Sequence, residues 1–331
     1  MNRRALTHIT LADIRAAHDR IRPHIERTPL VPMADRSVIL KAESLQPVGS
    51  FKLRGAINTL LSLDADERAR GVVAHSSGNH AIAVAHAGAV LGVAVTVVMP
   101  SDAPTIKLDR TRALGAEVIV VGPSSDERVR RANELQHTRG LVPVEPYDSP
   151  TILAATATIA VEILEDLERG PSPVIYVPVS GGGLAGGVAA GAKLTDPRVR
   201  IVAVEPELAA DYAASRRAGT RVALAAEEMA RTAADGLRVQ QVGELPWLHL
   251  QAFIDDVVTV SEDEIAAASG RIFEETGLVA EPSGAVSVAA ALAAALTAAA
   301  DGDLARHVAV LTGSNTDATS GDGSGRSHCL G

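Results

Sequence analysis

The chain predicts an α/β fold, and three observations carry that expectation. Apolar strand-like runs recur along the 331 residues, at 38–41, 72–74, 93–99, 118–121, 141–144, 174–179, 201–204 and 308–311. These runs are continuous and rich in Val and Ile rather than alternating, which is the pattern of parallel strands buried on both faces. Helical stretches separate them, and several runs end in small polar turns of the kind that place ligand groups at strand ends.

Taken in order, the first such turn is Gly49-Ser50-Phe51-Lys52-Leu53-Arg54-Gly55-Ala56, a loop-to-helix junction whose lysine can reach a bound aldehyde. Next, the apolar stretch 71–74 runs into Ser76-Ser77-Gly78-Asn79-His80 and then an alanine-rich helical stretch over 79–91. Further helices are expected at 104–114 and 125–138, so strand and helix alternate compactly between residues 70 and 146. The run 174–179 leads into Ser180-Gly181-Gly182-Gly183-Leu184-Ala185-Gly186-Gly187, a turn that exposes backbone N–H groups at a positive helix end. Residues 285–300 are too few for the ~20 a membrane span requires, and they read as a packed helix. Last comes Val308-Ala309-Val310-Leu311-Thr312-Gly313-Ser314-Asn315, a strand entering a small polar turn. The Gly/Ser-rich stretch 320–325 is expected to be a flexible tail.

Composition narrows the function. The net charge of −9 argues against nucleic-acid and anionic-membrane partners, which require dense positive surface. The single cysteine, Cys329, excludes an intramolecular disulfide, and the basic start Met1-Asn2-Arg3-Arg4 leads into no secretory apolar run. Both readings lead to a cytoplasmic expectation.

Together the lysine segment, the Ser-Ser-Gly-Asn-His loop, the glycine turn and Glu281-Pro282-Ser283-Gly284-Ala285 resemble the fold-type II pyridoxal phosphate enzymes, on the serine/threonine dehydratase and serine racemase branch. The motifs occur in the family's order and the likeness covers nearly the whole chain. It implies two domains, each with a mainly parallel sheet flanked by helices and with the cofactor in the cleft between them. Residues 1–69 and 147–331 would form the large, discontinuous domain and residues 70–146 the small one. A homodimer is implied. Relatives that respond to effectors through an extra C-terminal domain are longer, and none is expected here.

By the same resemblance, Lys52 forms the Schiff base with pyridoxal 5'-phosphate and serves as the base at the substrate Cα, which requires a lowered pKa. Phe51 packs beside the ring. The N–H groups of Gly181, Gly182, Gly183 and Leu184 hold the phosphate; glycine is needed because a Cβ would block its approach. Ser180 replaces another glycine common in relatives and is expected to be tolerated. Asn79 bonds the ring hydroxyl oxygen, while Ser76, Ser77, Asn79 and His80 form the loop that takes the substrate carboxylate. Ser77 also matches a proton carrier of racemase relatives. Thr312 contacts the pyridine nitrogen, and Glu281 lies near the ring. Glu205-Pro206-Glu207-Leu208-Ala209-Ala210-Asp211 matches the spacing of a divalent-cation site, with Glu205, the Ala209 carbonyl and Asp211 as ligands for Mg²⁺ or Ca²⁺.

The implied activity is an ammonia-lyase that dehydrates L-threonine or L-serine to the 2-oxo acid and ammonia. Three alternatives stay open: an amino-acid racemase using Lys52 and Ser77; a hydroxyaspartate dehydratase, for which Arg128 is a candidate contact to the second carboxylate; and a phosphate- or nucleotide-binding module using only the glycine turn.

Overall fold

A computed structural model describes residues 6–34, 37–168, 170–301 and 306–316. Cys329 and the stretch 320–325 lie outside the described residues. Two sheets organise the chain. The larger has six strands: β1 (Leu30–Pro32), β2 (Val38–Ala42), β7 (Val174–Pro178), β8 (Arg200–Pro206), β9 (Asp256–Val260) and β10 (His307–Leu311), in the order β1-β2-β10-β7-β8-β9. The smaller holds β3 (Val72–His75), β4 (Val95–Pro100), β5 (Glu117–Val121) and β6 (Val142–Pro143), in the order β5-β4-β3-β6. Every pairing is parallel except β1 with β2.

Thirteen α-helices accompany the sheets among the described residues. They are α1 (Leu11–Ile21), α2 (Lys52–Ser62), α3 (Ala65–Arg70), α4 (Asn79–Leu91), α5 (Thr105–Ala113), α6 (Ser125–Arg139), α7 (Pro150–Asp166), α8 (Gly183–Thr195), α9 (Asp211–Ala218), α10 (Ala226–Met229), α11 (Glu244–Phe253), α12 (Glu262–Thr276) and α13 (Pro282–Asp301). The expected helices at 79–91, 104–114 and 125–138 correspond to α4, α5 and α6, and the apolar stretch 285–300 lies within α13. No described helix is long and apolar enough to cross a membrane.

Central strands are continuous apolar runs because both faces are covered: every residue of β10 is buried, as is every residue of β4. β1 and β9, which the sequence pattern did not reveal, sit at the edges of the larger sheet, where partial exposure interrupts the apolar signal. The tightest helix pair is α7 with α8. A Cβ at Gly187 would stand 2.0 Å from Thr156 Oγ1, and one at Gly191 would stand 2.4 Å from the Ala157 carbonyl. Glycine at both positions lets the two backbones approach, and this seats the N-terminal end of α8 beside the segment that precedes α7.

Candidate active site

The lysine segment is stitched to the turn after β10. Ser50 and Gly313 form an isolated bridge, Phe51 N–H donates to the Thr312 carbonyl at 3.1 Å, and Ser314 N–H donates to the Gly49 carbonyl at 2.9 Å. Gly49 is required here: its φ is +73° and a Cβ would lie 2.6 Å from Asn315 Oδ1. Lys52, the first residue of α2, turns its amine onto the Pro146 carbonyl at 2.8 Å and lies 5.1 Å from the Phe51 ring centre. Among the described residues no carboxylate pairs with it. Burial alone pushes its pKa down to about 8, so a neutral amine is accessible near neutral pH.

Two residues further along α2, Arg54 enters a knot of buried charge. Arg54 donates to both oxygens of Glu43 (2.8 and 2.7 Å) and to both oxygens of Glu162 (2.7 and 2.7 Å), and Lys41 donates to Glu162 at 2.7 Å and to the Thr28 carbonyl at 2.6 Å. All four charged side chains are at most 2% exposed. The knot joins β2, α2 and α7, so the two segments that meet at Lys52, the start of α2 and the approach to α7, are anchored to one another.

The Ser-Ser-Gly-Asn-His loop ends β3 and opens α4. Asn79 Nδ2 donates to Glu281 Oε1 at 2.5 Å, and its Oδ1 accepts from Asn315 Nδ2 at 2.8 Å. Glu281 is 2% exposed and its second oxygen has no hydrogen-bond partner. Burial raises its pKa to about 7, against the lowering influence of Lys107, whose amine stands 3.6 Å away. Lys107 itself bonds Asp235 at 2.6 Å and packs where a Cβ on Gly78 would fall. Ser76 Oγ accepts from Gly78 N–H, and Ser77 is half-buried with no side-chain bond to a described residue. His80 points away from the loop into the core: its Nε2 contacts the Val144 carbonyl at 3.0 Å, and burial, with Lys52 nearby, holds its pKa down at about 3. It is a neutral group, and what it offers an anion is its backbone N–H at the start of α4.

At the glycine turn Gly182 has φ +87° and its N–H is already donated to the Val179 carbonyl at 3.0 Å. The N–H groups of Gly181, Gly183 and Leu184 meet no acceptor among the described residues. A Cβ at Gly181 or Gly183 would strike Tyr147, at 2.4 Å from its ring and 2.6 Å from its carbonyl. Three unspent N–H groups at a helix start, in a turn that glycine lets close against Tyr147, fit an anionic group of phosphate size. Ser180 is the one described non-glycine residue with positive φ, +51°, and its hydroxyl turns out of the cradle to the Gly236 carbonyl at 3.1 Å. Thr312, 4% exposed, donates to the Ser283 carbonyl at 3.3 Å.

Glu205 and Asp211 are both buried, 1% and 0% exposed. Glu205 accepts from the N–H groups of Tyr212 (3.0 Å) and Ala213 (2.8 Å), Asp211 Oδ2 accepts from Val242 N–H (2.9 Å), and Asp211 Oδ1 is left without a partner. Burial first, and their mutual repulsion in the case of Glu205, raise both carboxyls above the usual range. A hard cation fits two crowded carboxylates with an orphaned oxygen and the adjacent Ala209 segment. Among the described residues no cluster of three or more His, Cys, Asp or Glu donors forms.

Sequence reasoning missed Pro146, Tyr147, Lys107, Asp235 and Asn315. Asn315 ends a quoted motif and Tyr147 is one of only three tyrosines, but nothing local ties either to the lysine.

A parallel α/β chain that gathers an enclosed amine, an anion cradle at a helix start and a carboxamide beside a buried carboxyl has the architecture of an enzyme using an aldehyde-bearing phosphate cofactor. Comparison places it further: the model of the family "Pyridoxal-phosphate dependent enzyme" matches residues 21–313, and the chain belongs to that family. The serine racemase of Arabidopsis thaliana is 41% identical over 288 residues, 85% of either chain. The L-threonine ammonia-lyase of Thermotoga maritima is 40% identical over 290 residues, covering 86% of this chain and 71% of that one. Maize serine racemase superposes with a TM-score of 0.86 at 33% identity, covering 94% of this chain and 95% of that chain. The fold is that of the fold-type II enzymes.

Proposed function

We propose that the protein is a pyridoxal phosphate-dependent ammonia-lyase that dehydrates L-threonine or L-serine. The observation that carries this reading is the Lys52 amine: enclosed, paired with no carboxylate among the described residues, and held by a carbonyl from the segment that covers the glycine turn. Pyridoxal phosphate, when bound, withdraws electrons from the Cα of an attached amino acid and acidifies its proton.

The chain's residues supply the rest. Gly181, Gly183 and Leu184 hold the phosphate through their free N–H groups, with Gly182 shaping the turn; Asn79 faces the ring oxygen; Phe51, Glu281 and Thr312 line the ring. Ser76, Ser77 and the N–H groups that open α4, at Asn79 and His80, receive the substrate carboxylate. Lys52, neutral in part near pH 8, takes the Cα proton. Thr312 offers the pyridine nitrogen a hydroxyl in place of a carboxylate, so carbanionic charge is poorly stored and loss of the β-hydroxyl is favoured over transamination. The released product hydrolyses in water to the 2-oxo acid and ammonia.

Racemisation is the second reading, favoured by the uncommitted Ser77 hydroxyl. Arg128 on α6 has a buried Nε without a partner, which suits a second carboxylate on the substrate. Glu205, Ala209 and Asp211 are proposed to hold Mg²⁺ or Ca²⁺, residues 70–146 to form the small domain, and the protein to act as a cytoplasmic homodimer.

The test is an absorbance spectrum of the protein with pyridoxal phosphate, then addition of L-threonine, L-serine and threo-3-hydroxyaspartate with 2-oxo acid and chirality readouts. A visible band absent from Lys52→Ala, together with oxo-acid formation, is expected. Accumulation of D-amino acid without oxo acid would select the racemase, and no band would leave a phosphate-binding module.

A further inference from the structure

The carboxamide of Asn79 is the inner end of a run of donors that begins on α5. The Arg110 guanidinium donates to Asn315 Oδ1. Asn315 Nδ2 donates to Asn79 Oδ1 at 2.8 Å and to the Val48 carbonyl at 2.9 Å, and Asn79 Nδ2 donates to Glu281 Oε1 at 2.5 Å. Every link points the same way, from Arg110 toward Glu281.

That direction has a chemical origin. A carboxamide carries an acceptor on one arm and a donor on the other, and half a turn exchanges them at little cost in shape. A guanidinium has five N–H donors and no acceptor. Arg110 therefore holds the oxygen of Asn315 and leaves its NH₂ for Asn79. Asn79 in turn gives up its oxygen and keeps its NH₂ on the side of Glu281 and Gly313, where a Cβ on Gly313 would stand 3.3 Å from Asn79 Nδ2. Asn315 and Glu281 are 6% and 2% exposed, so little water is present to satisfy a reversed amide. The packing is cut to this arrangement, since Gly49 is the residue that leaves room for Asn315 Oδ1.

We propose that Arg110 is a positioning residue that fixes the polarity of this amide relay, so that Asn79 presents N–H, and not its carbonyl oxygen, to the ring oxygen of bound pyridoxal phosphate. The proposal rests on the reading of Asn79 as a cofactor contact given above. With the relay reversed, two oxygens would face each other where a hydrogen bond belongs. Arg110 is half-buried within α5 and is not one of the residues assigned to the cofactor or the substrate, so its replacement leaves those residues in place.

The experiment compares Arg110→Lys, Arg110→Gln and Arg110→Glu in the full chain. Each apo-protein is titrated with pyridoxal phosphate, followed by visible absorbance, with thermal stability measured in parallel. Lysine is also donor-only and preserves the polarity; glutamate is acceptor-only and reverses it. Arg110→Lys should bind the cofactor within about twofold of wild type, Arg110→Glu should bind about tenfold more weakly, and Arg110→Gln should fall between them, all three at similar melting temperature. Side-chain amide NMR of the apo-proteins should show the Asn79 and Asn315 NH₂ signals shifted in Arg110→Glu and wild-type-like in Arg110→Lys. Equal affinity in the lysine and glutamate variants would overturn the relay while leaving the cofactor reading intact. A wild-type protein that develops no visible band would overturn the cofactor reading, and the proposal with it.

Discussion

Two buried charge clusters in this molecule contrast sharply. Around Arg54, two cations and two carboxylates close on one another with nearly every donor and acceptor matched. Around Glu205 and Asp211, two buried carboxylates stand together, and one Asp211 oxygen has no hydrogen-bond partner among the described residues. The first is complete and ties α2 to β2 and α7; the second leaves a buried oxygen unmatched, and its proposed role is to hold a cation. Burial alone does not separate structure from function here; satisfaction does.

Removing a partner from the closed cluster should have the largest effect. Glu162→Ala strands Arg54 and Lys41 with one carboxylate between them and should cost about 3–5 kcal/mol in urea unfolding. Because Arg54 and Lys41 hold the Glu162 pKa below its ordinary value, that stabilisation is present above the unfolded carboxylate pKa and fades as pH falls through the folded one. A variant as stable as wild type would dissolve the contrast. The open cluster should respond to ions instead: Mg²⁺ or Ca²⁺ at one hundred times its dissociation constant should stabilise the wild type by about 2.7 kcal/mol, and Asp211→Asn should abolish that response. An unchanged melting temperature with and without chelator would break the comparison from the other side.

Lys52 is the third case, a cation with no partner charge among the described residues. Its folded pKa of about 8 lies below the unfolded value of 10.5, so the unfolded chain binds more protons between those pH values and stability rises with pH across that window. Apo Lys52→Met should be more stable than apo wild type by about 3 kcal/mol at pH 7, the gap closing above pH 10.5. The smallest effect is expected at Ser180. Glycine there relieves the left-handed backbone but forfeits the bond to Gly236, so Ser180→Gly should move stability by under about 1 kcal/mol.

Much of this was legible in the sequence because it is local. A continuous Val/Ile run declares a buried parallel strand by itself, and Lys52, the glycine turn and the Asn79 loop each lie within a few consecutive residues. What was hidden is non-local. Lys107 meets Asp235 from 128 positions away, and Arg110 meets Asn315 from 205. Nothing local in the sequence marks Lys41, Glu43 and Glu162, since only the packed core shows that they face inward. His80 shows the opposite limit: the motif names the residue, and the fold turns its ring away from the loop.

The strand order β1-β2-β10-β7-β8-β9 places the strand that comes last in the chain between β2 and β7. On a ribosome the four-stranded unit, with all its strands between residues 72 and 143, is complete while more than half of the protein has yet to be made. The larger sheet must wait with a gap at its centre until β10 emerges. Until then β2 and β7 lack their shared neighbour, and the open strand edges are a template on which other chains can pair.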